Sequence, residues 1–190
     1  MIDRQRMRLT HGGHKGAEAE FGRAAMRWDV PETTVSYQGH EMEFAMNVDE
    51  LSDEDLEKGH VSMEFVFQAL GRRFARGKGL RRVIYSMFHV VTRGDELFVV
   101  GWIQPDTHVR GGTGWGVELA KFFNRPVHVF DQERDEWMSW DGQRWRPSEP
   151  RLPDGPFSAT GTRTLTDAGR RAIADLFERS LGSRESDDAR

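Results

Sequence analysis

Two glycine-rich stretches carry the residues of this chain whose types and spacing could do chemistry. The first reads His11-Gly12-Gly13-His14-Lys15-Gly16-Ala17-Glu18, and the second reads Arg110-Gly111-Gly112-Thr113-Gly114-Trp115-Gly116-Val117-Glu118. Each follows a strand candidate and precedes a helical pattern. Glycines let the backbone approach a ligand closely, and the N–H groups at a helix start attract anions. We therefore expect both loops to bind a phosphate or a carboxylate.

The predicted ligand contacts come from these two loops and from a third segment. They are Gly12, Gly13, His14, Lys15, Gly16 and Glu18 in the first loop, Arg110, Gly111, Gly112, Thr113, Gly114 and Trp115 in the second, and Thr162 and Arg163 before the last helix. Lys15 can contact a phosphate as a point charge. The hydroxyl and the guanidinium of the third segment offer a further anion contact.

A carboxylate one turn into the second helix has two interpretations. An anion bound at the glycines would repel Glu118, so this side chain could instead reach a sugar hydroxyl or act as a base. It could equally complement the helix dipole in the first turn. Both interpretations stand, and Glu118 is the candidate catalytic residue.

Three other features could also bind a ligand. His11 and His14 have the spacing of a zinc pair, but a glycine loop lacks the rigid helix face that metal sites usually use, so we predict no metal site. Residues 72–82 carry six positive charges with little aromatic interleaving, which argues against nucleic acid as a partner. Three tryptophans at residues 136–145 could stack on a base or cover a sheet edge.

Length and composition limit the class of protein. The chain has 190 residues and 37% hydrophobic content, which suits one domain, predicted at residues 1–182 with a flexible tail at 183–190. A net charge of -4 gives no general attraction to nucleic acid or to an anionic membrane. The sequence has no cysteine, which excludes disulfides and thiolate metal sites. With a charged start and no apolar run of about 18 residues, we expect a cytoplasmic protein without membrane contact.

The elements that must position the loops alternate between strand and helix. Strands are predicted at residues 7–10, 33–37, 96–102 and 127–131, helices at 17–28, 52–70, 83–92, 117–124 and 167–181, a hairpin at 136–145 and a loop over the site at 38–47. We predict an α/β fold, a doubly wound, mainly parallel sheet with helices on both faces and a C-terminal β-hairpin plus helix. Both glycine loops then lie at the carboxyl edge of the sheet and meet in one crevice.

The paired loops resemble those of the Rossmann-like SLOG superfamily, which groups the Lonely-Guy phosphoribohydrolases with the molybdenum-cofactor carrier proteins. The first loop resembles the family's Ser-Gly-Gly-x-x-Gly-Ala-Asp, with His11 for serine and Glu18 for aspartate. The second resembles the phosphoribohydrolase motif Pro-Gly-Gly-x-Gly-Thr-x-x-Glu, with Arg110 for proline and Trp115 for threonine. The turn at residues 160–163 and the last helix are similar to uncharacterised phage and bacterial members of this group.

The resemblance implies that a phosphorylated nucleoside or nucleotide derivative binds across the two loops, to a sensor, carrier or sequestering protein that requires no cofactor. The alternative that it implies is an N-glycoside hydrolase that cleaves a nucleoside monophosphate or an ADP-ribose-like molecule, with Glu118 near the ribose. In the phosphoribohydrolases the glutamate works with an arginine of the preceding helix, and here Arg81, Arg82 or Arg163 is the candidate. By the same analogy we expect a homodimer or a higher homo-oligomer, to which the apolar residues Phe122 and Phe123 could contribute.

Overall fold

A computed structural model describes residues 6–71 and 77–182 of the chain, apart from the side chain of Lys78. The tail predicted at residues 183–190 lies outside the described residues. So do Arg72, Arg73 and Arg76, which form half of the basic segment noted in the sequence. The six helices and eight strands given below are therefore those of the described part of the chain.

One sheet forms the centre of the molecule. Its strands are β1 Arg8–His11, β2 Glu32–Tyr37, β3 Val48–Leu51, β4 Glu96–Gly101, β5 Val127–Asp131, β6 Glu136–Trp140, β7 Trp145–Pro147 and β8 Pro156–Gly161, in the spatial order β3-β2-β1-β8-β4-β5-β6-β7. All neighbours from β3 to β5 are parallel, and β6 and β7 add an antiparallel hairpin at one edge. The predicted α/β fold with a mainly parallel sheet and a C-terminal hairpin is thus confirmed.

Helices cover both faces of this sheet. They are α1 Ala17–Arg27, α2 Asp53–Glu57, α3 His60–Ala69, α4 Lys78–Arg93, α5 Thr113–Phe122 and α6 Asp167–Leu181. β4 shows why two layers are needed, because its successive side chains point to opposite faces and both faces are apolar. Phe98 packs into the core under α1 and α6, whereas Val99 packs into the core under α3, α4 and α5.

The most consequential difference from the sequence-based prediction is β8. The sequence predicted a turn at residues 160–163 and no strand before the last helix, yet Pro156–Gly161 is a central parallel strand between β1 and β4. Ser158, Thr160 and Gly161 are small or polar, which masks the usual strand signal. Ser158 and Thr160 are buried nevertheless, because each hydroxyl has a partner: Ser158 Oγ donates to the Val90 carbonyl, and Thr160 Oγ1 donates to Glu18.

Two smaller differences concern the segment before α4. The short strand β3 was not predicted, since only Leu51 of its four residues is buried. The helix predicted over residues 52–70 is two helices, and Gly59 lies at the break. A Cβ at Gly59 would stand 2.9 Å from the Tyr85 carbonyl oxygen and from Phe88 Cβ, so glycine permits the close approach of α4.

The hairpin tryptophans pack against the protein. The ammonium of Lys121 lies 3.8 Å from the ring centre of Trp140 and 4.9 Å from that of Trp145, which is a cation–π contact. Trp145 Nε1 donates to the Thr107 carbonyl at 2.7 Å. This arrangement agrees with the interpretation that these rings cover a sheet edge.

None of the helices in the described residues has the length and apolar character that crossing a membrane requires.

Candidate functional site

A cavity of about 720 Å³ opens at the carboxyl edge of β1, β8 and β4. Its volume falls within the range of pockets that bind small molecules and cofactors. The lining comes from the loop after β1, the segment after β4, the turn after β8 and the first half of α4. It consists of His14, Glu18, Leu80, Val83, Met87, Trp102, Arg110, Gly111, Gly112, Thr113, Trp115, Thr160, Gly161, Thr162, Arg163 and Thr164.

The three segments singled out in the sequence therefore meet at one place. Nine of the predicted residues line the cavity: His14, Glu18, Arg110, Gly111, Gly112, Thr113, Trp115, Thr162 and Arg163. Six are not part of this lining: Gly12, Gly13, Lys15, Gly16, Gly114 and Glu118. Sequence reasoning missed the apolar residues of α4, because a helix face that contacts a ligand has the same pattern as one that contacts the core. It also missed Trp102, which follows β4, and Thr160, which lies in β8.

The second glycine loop supplies a helix start to the cavity. α5 begins at Thr113 with Gly112 before it, and both residues belong to the lining. Gly114 N–H and Trp115 N–H donate to the carbonyls of Gly111 and Gly112 at 3.3 and 3.0 Å, and the first turn carries the positive end of the helix dipole. Together with the guanidinium of Arg110, this helix start makes one side of the cavity favourable for an anion.

The first glycine loop also bonds several of its N–H groups inside the protein. Gly13 N–H donates to His11 Nδ1 at 3.0 Å, and His14 N–H donates to Glu18 Oε2 at 3.2 Å. Ala17 N–H, at the start of α1, donates to the Thr162 carbonyl at 3.0 Å. Lys15 is exposed and outside the lining. This loop therefore contributes mainly side chains to the cavity.

His11 fixes the first loop to the sheet. Because its Nδ1 accepts from Gly13, its Nε2 carries the proton and donates to Glu32 Oε2 at 3.0 Å. Glu32 also accepts from Thr34 and twice from Asn47. Burial alone would raise the pKa of Glu32, but these hydrogen bonds lower it. With both ring nitrogens used, His11 does not form a zinc pair with His14.

Glu18 is a buried carboxylate in the cavity wall. Its Oε1 accepts from Thr160 Oγ1 at 2.7 Å, and its Oε2 accepts from His14 Nδ1 at 2.9 Å as well as from the His14 amide. Burial raises the pKa of this carboxyl, but the hydrogen bonds from His14 and Thr160 and the nearby imidazoles outweigh it and lower the pKa to about 2. Glu18 is therefore ionised at neutral pH.

His40 is a site residue that the sequence did not reveal. It comes from the loop predicted to lie over the site, and its Nε2 lies 2.9 Å from His14 Nε2. Its ring stacks on Tyr37, with centres 4.4 Å apart and planes inclined by 11°. Burial, reinforced by His14, lowers the pKa of His40 to about 4, so it is uncharged at neutral pH. A single histidine in a loop of mixed polarity gives no spacing signal.

The remaining wall of the cavity is apolar and aromatic. Leu80, Val83 and Met87 come from successive turns of α4, and Trp102 and Trp115 face them from the segment after β4. Trp115 Nε1 is buried and has no hydrogen-bond partner among the described residues.

Glu118 lies away from the cavity lining and is engaged elsewhere. Its Oε1 accepts from His108 Nδ1 at 3.1 Å and from Lys121 Nζ at 2.9 Å. Since Lys121 also packs on Trp140, Glu118 ties α5 to the hairpin. This position gives the predicted catalytic role no geometric support.

The ionised state of Glu18 predicts an acid-sensitive fold. Its folded pKa of about 2 lies below the ordinary value of 4.5, so the unfolded chain takes up the proton first as pH falls. The stabilisation, roughly 3 kcal/mol, is complete above pH 4.5 and is lost as pH falls towards 2. Urea unfolding at several pH values should show that Glu18→Gln lowers stability at pH 7 and flattens this acid limb. The exposed Glu149→Gln is the control, and an unchanged acid limb in Glu18→Gln would contradict the assignment.

Comparisons with known proteins agree with the architecture. No family model matches the sequence, and no curated protein matches it significantly. Among solved structures, the chain is similar to a "Putative molybdenum carrier protein" from Syntrophus aciditrophicus SB, with a TM-score of 0.53, 14% identity, and coverage of 93% of this chain and 94% of that one. At this identity the similarity establishes the fold alone. The chain has a Rossmann-like α/β fold, as the sequence predicted.

Proposed function

We propose that the protein binds a phosphorylated nucleoside or nucleotide derivative in this cavity, as a cytoplasmic sensor, carrier or sequestering protein. The observation that supports the proposal most directly is the pairing of an anion-binding side with an aromatic side in one cavity of suitable volume. A phosphorylated nucleoside has the same two parts, a charged phosphate and a flat apolar base.

The phosphate fits the side formed by Arg110, Arg163 and the start of α5. Two guanidinium groups and a helix N-terminus all favour negative charge, and the Thr162 hydroxyl adds a donor. The negative charge of Glu18 in the same wall opposes an anion, but the two guanidinium groups outweigh one carboxylate whose oxygens accept from His14 and Thr160.

The base fits the side formed by α4 and the two indoles. Indole faces and aliphatic side chains favour stacking and burial of a heteroaromatic ring. The neighbouring structure's description as a carrier protein fits a role in which the ligand is held without being consumed.

Binding should depend on the cationic side chains of the cavity. In isothermal titration calorimetry with a panel of nucleoside monophosphates, NAD and ADP-ribose, Arg110→Ala and Arg163→Ala should each weaken binding by about tenfold, because each removes a charge-assisted contact. Arg144→Ala, on the hairpin outside the lining, should leave affinity unchanged. Equal affinities in all three variants would place the ligand elsewhere, and no binding across the panel would contradict the proposal.

N-glycoside hydrolysis is the second candidate, because the cavity wall contains an ionised carboxylate. In this alternative Glu18, which lines the cavity, would stabilise an oxocarbenium-like ribosyl centre in place of Glu118, which lies outside the lining. If free base is released from any member of the panel, Glu18→Gln should reduce the rate at least 100-fold, whereas Glu118→Gln should keep most of it. Chromatographic assay of free base measures this, and the opposite pattern would restore Glu118 as the catalytic residue.

We infer that the protein forms a homodimer through an exposed apolar surface on α3 and the C-terminal end of α5. This surface consists of Val61, Phe65, Phe122 and Phe123. These side chains are 65%, 53%, 51% and 37% exposed, so they are not core residues. Phe65 and Phe122 stack with ring centres 5.7 Å apart, which makes the surface continuous. Contiguous exposed apolar surface of this kind is typical of interaction sites.

Removing this surface should give monomers. Light scattering after size-exclusion chromatography should give the wild type a molar mass of about twice 21.8 kDa. The double variant Phe65→Glu/Phe122→Glu should have the mass of the monomer. Met26→Glu, an equally exposed position on α1, is the control and should remain dimeric. A monomeric wild type at tens of micromolar would contradict the inference.

A further inference from the structure

Two imidazoles in the cavity wall face each other through nitrogen atoms. His14 Nε2 and His40 Nε2 are 2.9 Å apart, and the ring centres are 4.3 Å apart with planes inclined by 57°. A head-on N–H···N bond of this length would hold the ring centres about 5 Å apart, given the size of an imidazole. The shorter separation means that the rings are inclined to the line between the two nitrogens. A hydrogen bond between them is therefore bent and weak.

Glu18 orients the His14 ring so that Nδ1 faces the carboxyl and Nε2 faces His40. Glu18 Oε2 lies 2.9 Å from His14 Nδ1 and also accepts from the His14 amide. Thr160 in turn orients the carboxylate. A histidine that donates one ring nitrogen to a carboxylate and presents the other is the usual arrangement of a metal ligand.

The ring of His40 is also held in place, because it stacks on Tyr37 with centres 4.4 Å apart and planes inclined by 11°. Its Nδ1 is buried and has no partner among the described residues, so the Nε2 contact with His14 is the one hydrogen bond that its ring makes there.

We propose that His14 and His40 bind one divalent transition-metal ion through their Nε2 atoms at the wall of the cavity. Two nitrogens 2.9 Å apart can both lie about 2.1 Å from a common ion, at an angle of about 90°. Neutral imidazole suits zinc, cobalt and nickel better than calcium or magnesium. The glycine loop that presents His14 is rigid here, because Gly13 packs directly against the Phe44 backbone and His14 against Glu18.

The other coordination positions belong to water and to the phosphate of the ligand. Among the described residues, no group of three or more histidines and carboxylates is placed to hold an ion, so two histidines alone leave the ion open to the cavity. Arg110 and Arg163 line the same cavity and would repel a bare cation, whereas an anionic phosphate compensates both charges. We therefore expect the ion and the phosphate to strengthen each other's binding. Only this coupling rests on the proposed function.

The first experiment uses the metal alone. The full chain, stripped with a chelator, is titrated with Co²⁺ and then with Zn²⁺, without nucleotide. We expect one ion per chain with micromolar affinity, a visible Co²⁺ absorption, and at least a tenfold loss of affinity in His14→Ala and in His40→Ala. His128→Ala is the control, since that ring bonds to Ser139 and Glu96 at another part of the sheet.

Equal affinity in the wild type and in both variants, or no binding by the wild type, overturns the proposal. Nitrogen-15 NMR of the wild-type histidines gives a reading that does not depend on the variants folding. Zinc should shift the Nε2 resonances of both His14 and His40. If both resonances stay unshifted after zinc is added, and the two nitrogens still share a proton, the site is overturned.

The second experiment adds a nucleoside monophosphate. A several-fold gain in metal affinity supports coordination by phosphate, and no gain overturns the coupling while the histidine site stands. If nucleotides do not bind but the ion does, the proposed function fails and the metal site remains. If nucleotides bind and the ion does not, the metal site fails and the proposed function remains.

Discussion

The charge of Glu18 is the constraint on which the site depends. A carboxylate this deeply buried stays ionised only while its two oxygens keep their donors, and those donors come from different parts of the chain. Thr160 belongs to the central strand β8, and His14 belongs to the loop after β1. The second ring nitrogen of His14 then contacts His40 of the loop after β2. One ionised group thus connects, directly or through His14, three segments that meet at the carboxyl edge of the sheet.

Much of the fold could be predicted from the sequence because its strongest elements have simple periods. β5 and α6 were predicted with their observed bounds, and a hairpin was predicted from residue 136, where β6 begins, since these signals are local. β8 could not be recognised in this way. A strand of small hydroxyl residues becomes stable only when its partners supply hydrogen bonds, and those partners are far away in the sequence.

The candidate site was predictable to the extent that it depends on loops following parallel strands. That rule brought His14, Arg110 and Arg163 together correctly. It could not show which glutamate turns towards the cavity, because a motif gives spacing but not direction. Glu118 has its partners on the hairpin side of α5, and Glu18 has its partners in the cavity wall. His40 has no sequence signal at all, since its role depends on where a loop folds back.

The position of β8 has a consequence for how the molecule assembles. Strands β1 to β3 form one half of the sheet and β4 to β7 form the other, and β8 is the strand that joins the two halves. This strand is also the last of the described strands to leave the ribosome. Until residues 156–161 emerge, the nascent chain holds two partial sheets, each exposing an open edge of parallel strand to other chains. The central pairing also links residues about 150 positions apart, which slows folding by the entropy of closing so long a loop. The cavity forms in this same late step, because the strand that completes the sheet also carries Thr160 to the cavity wall.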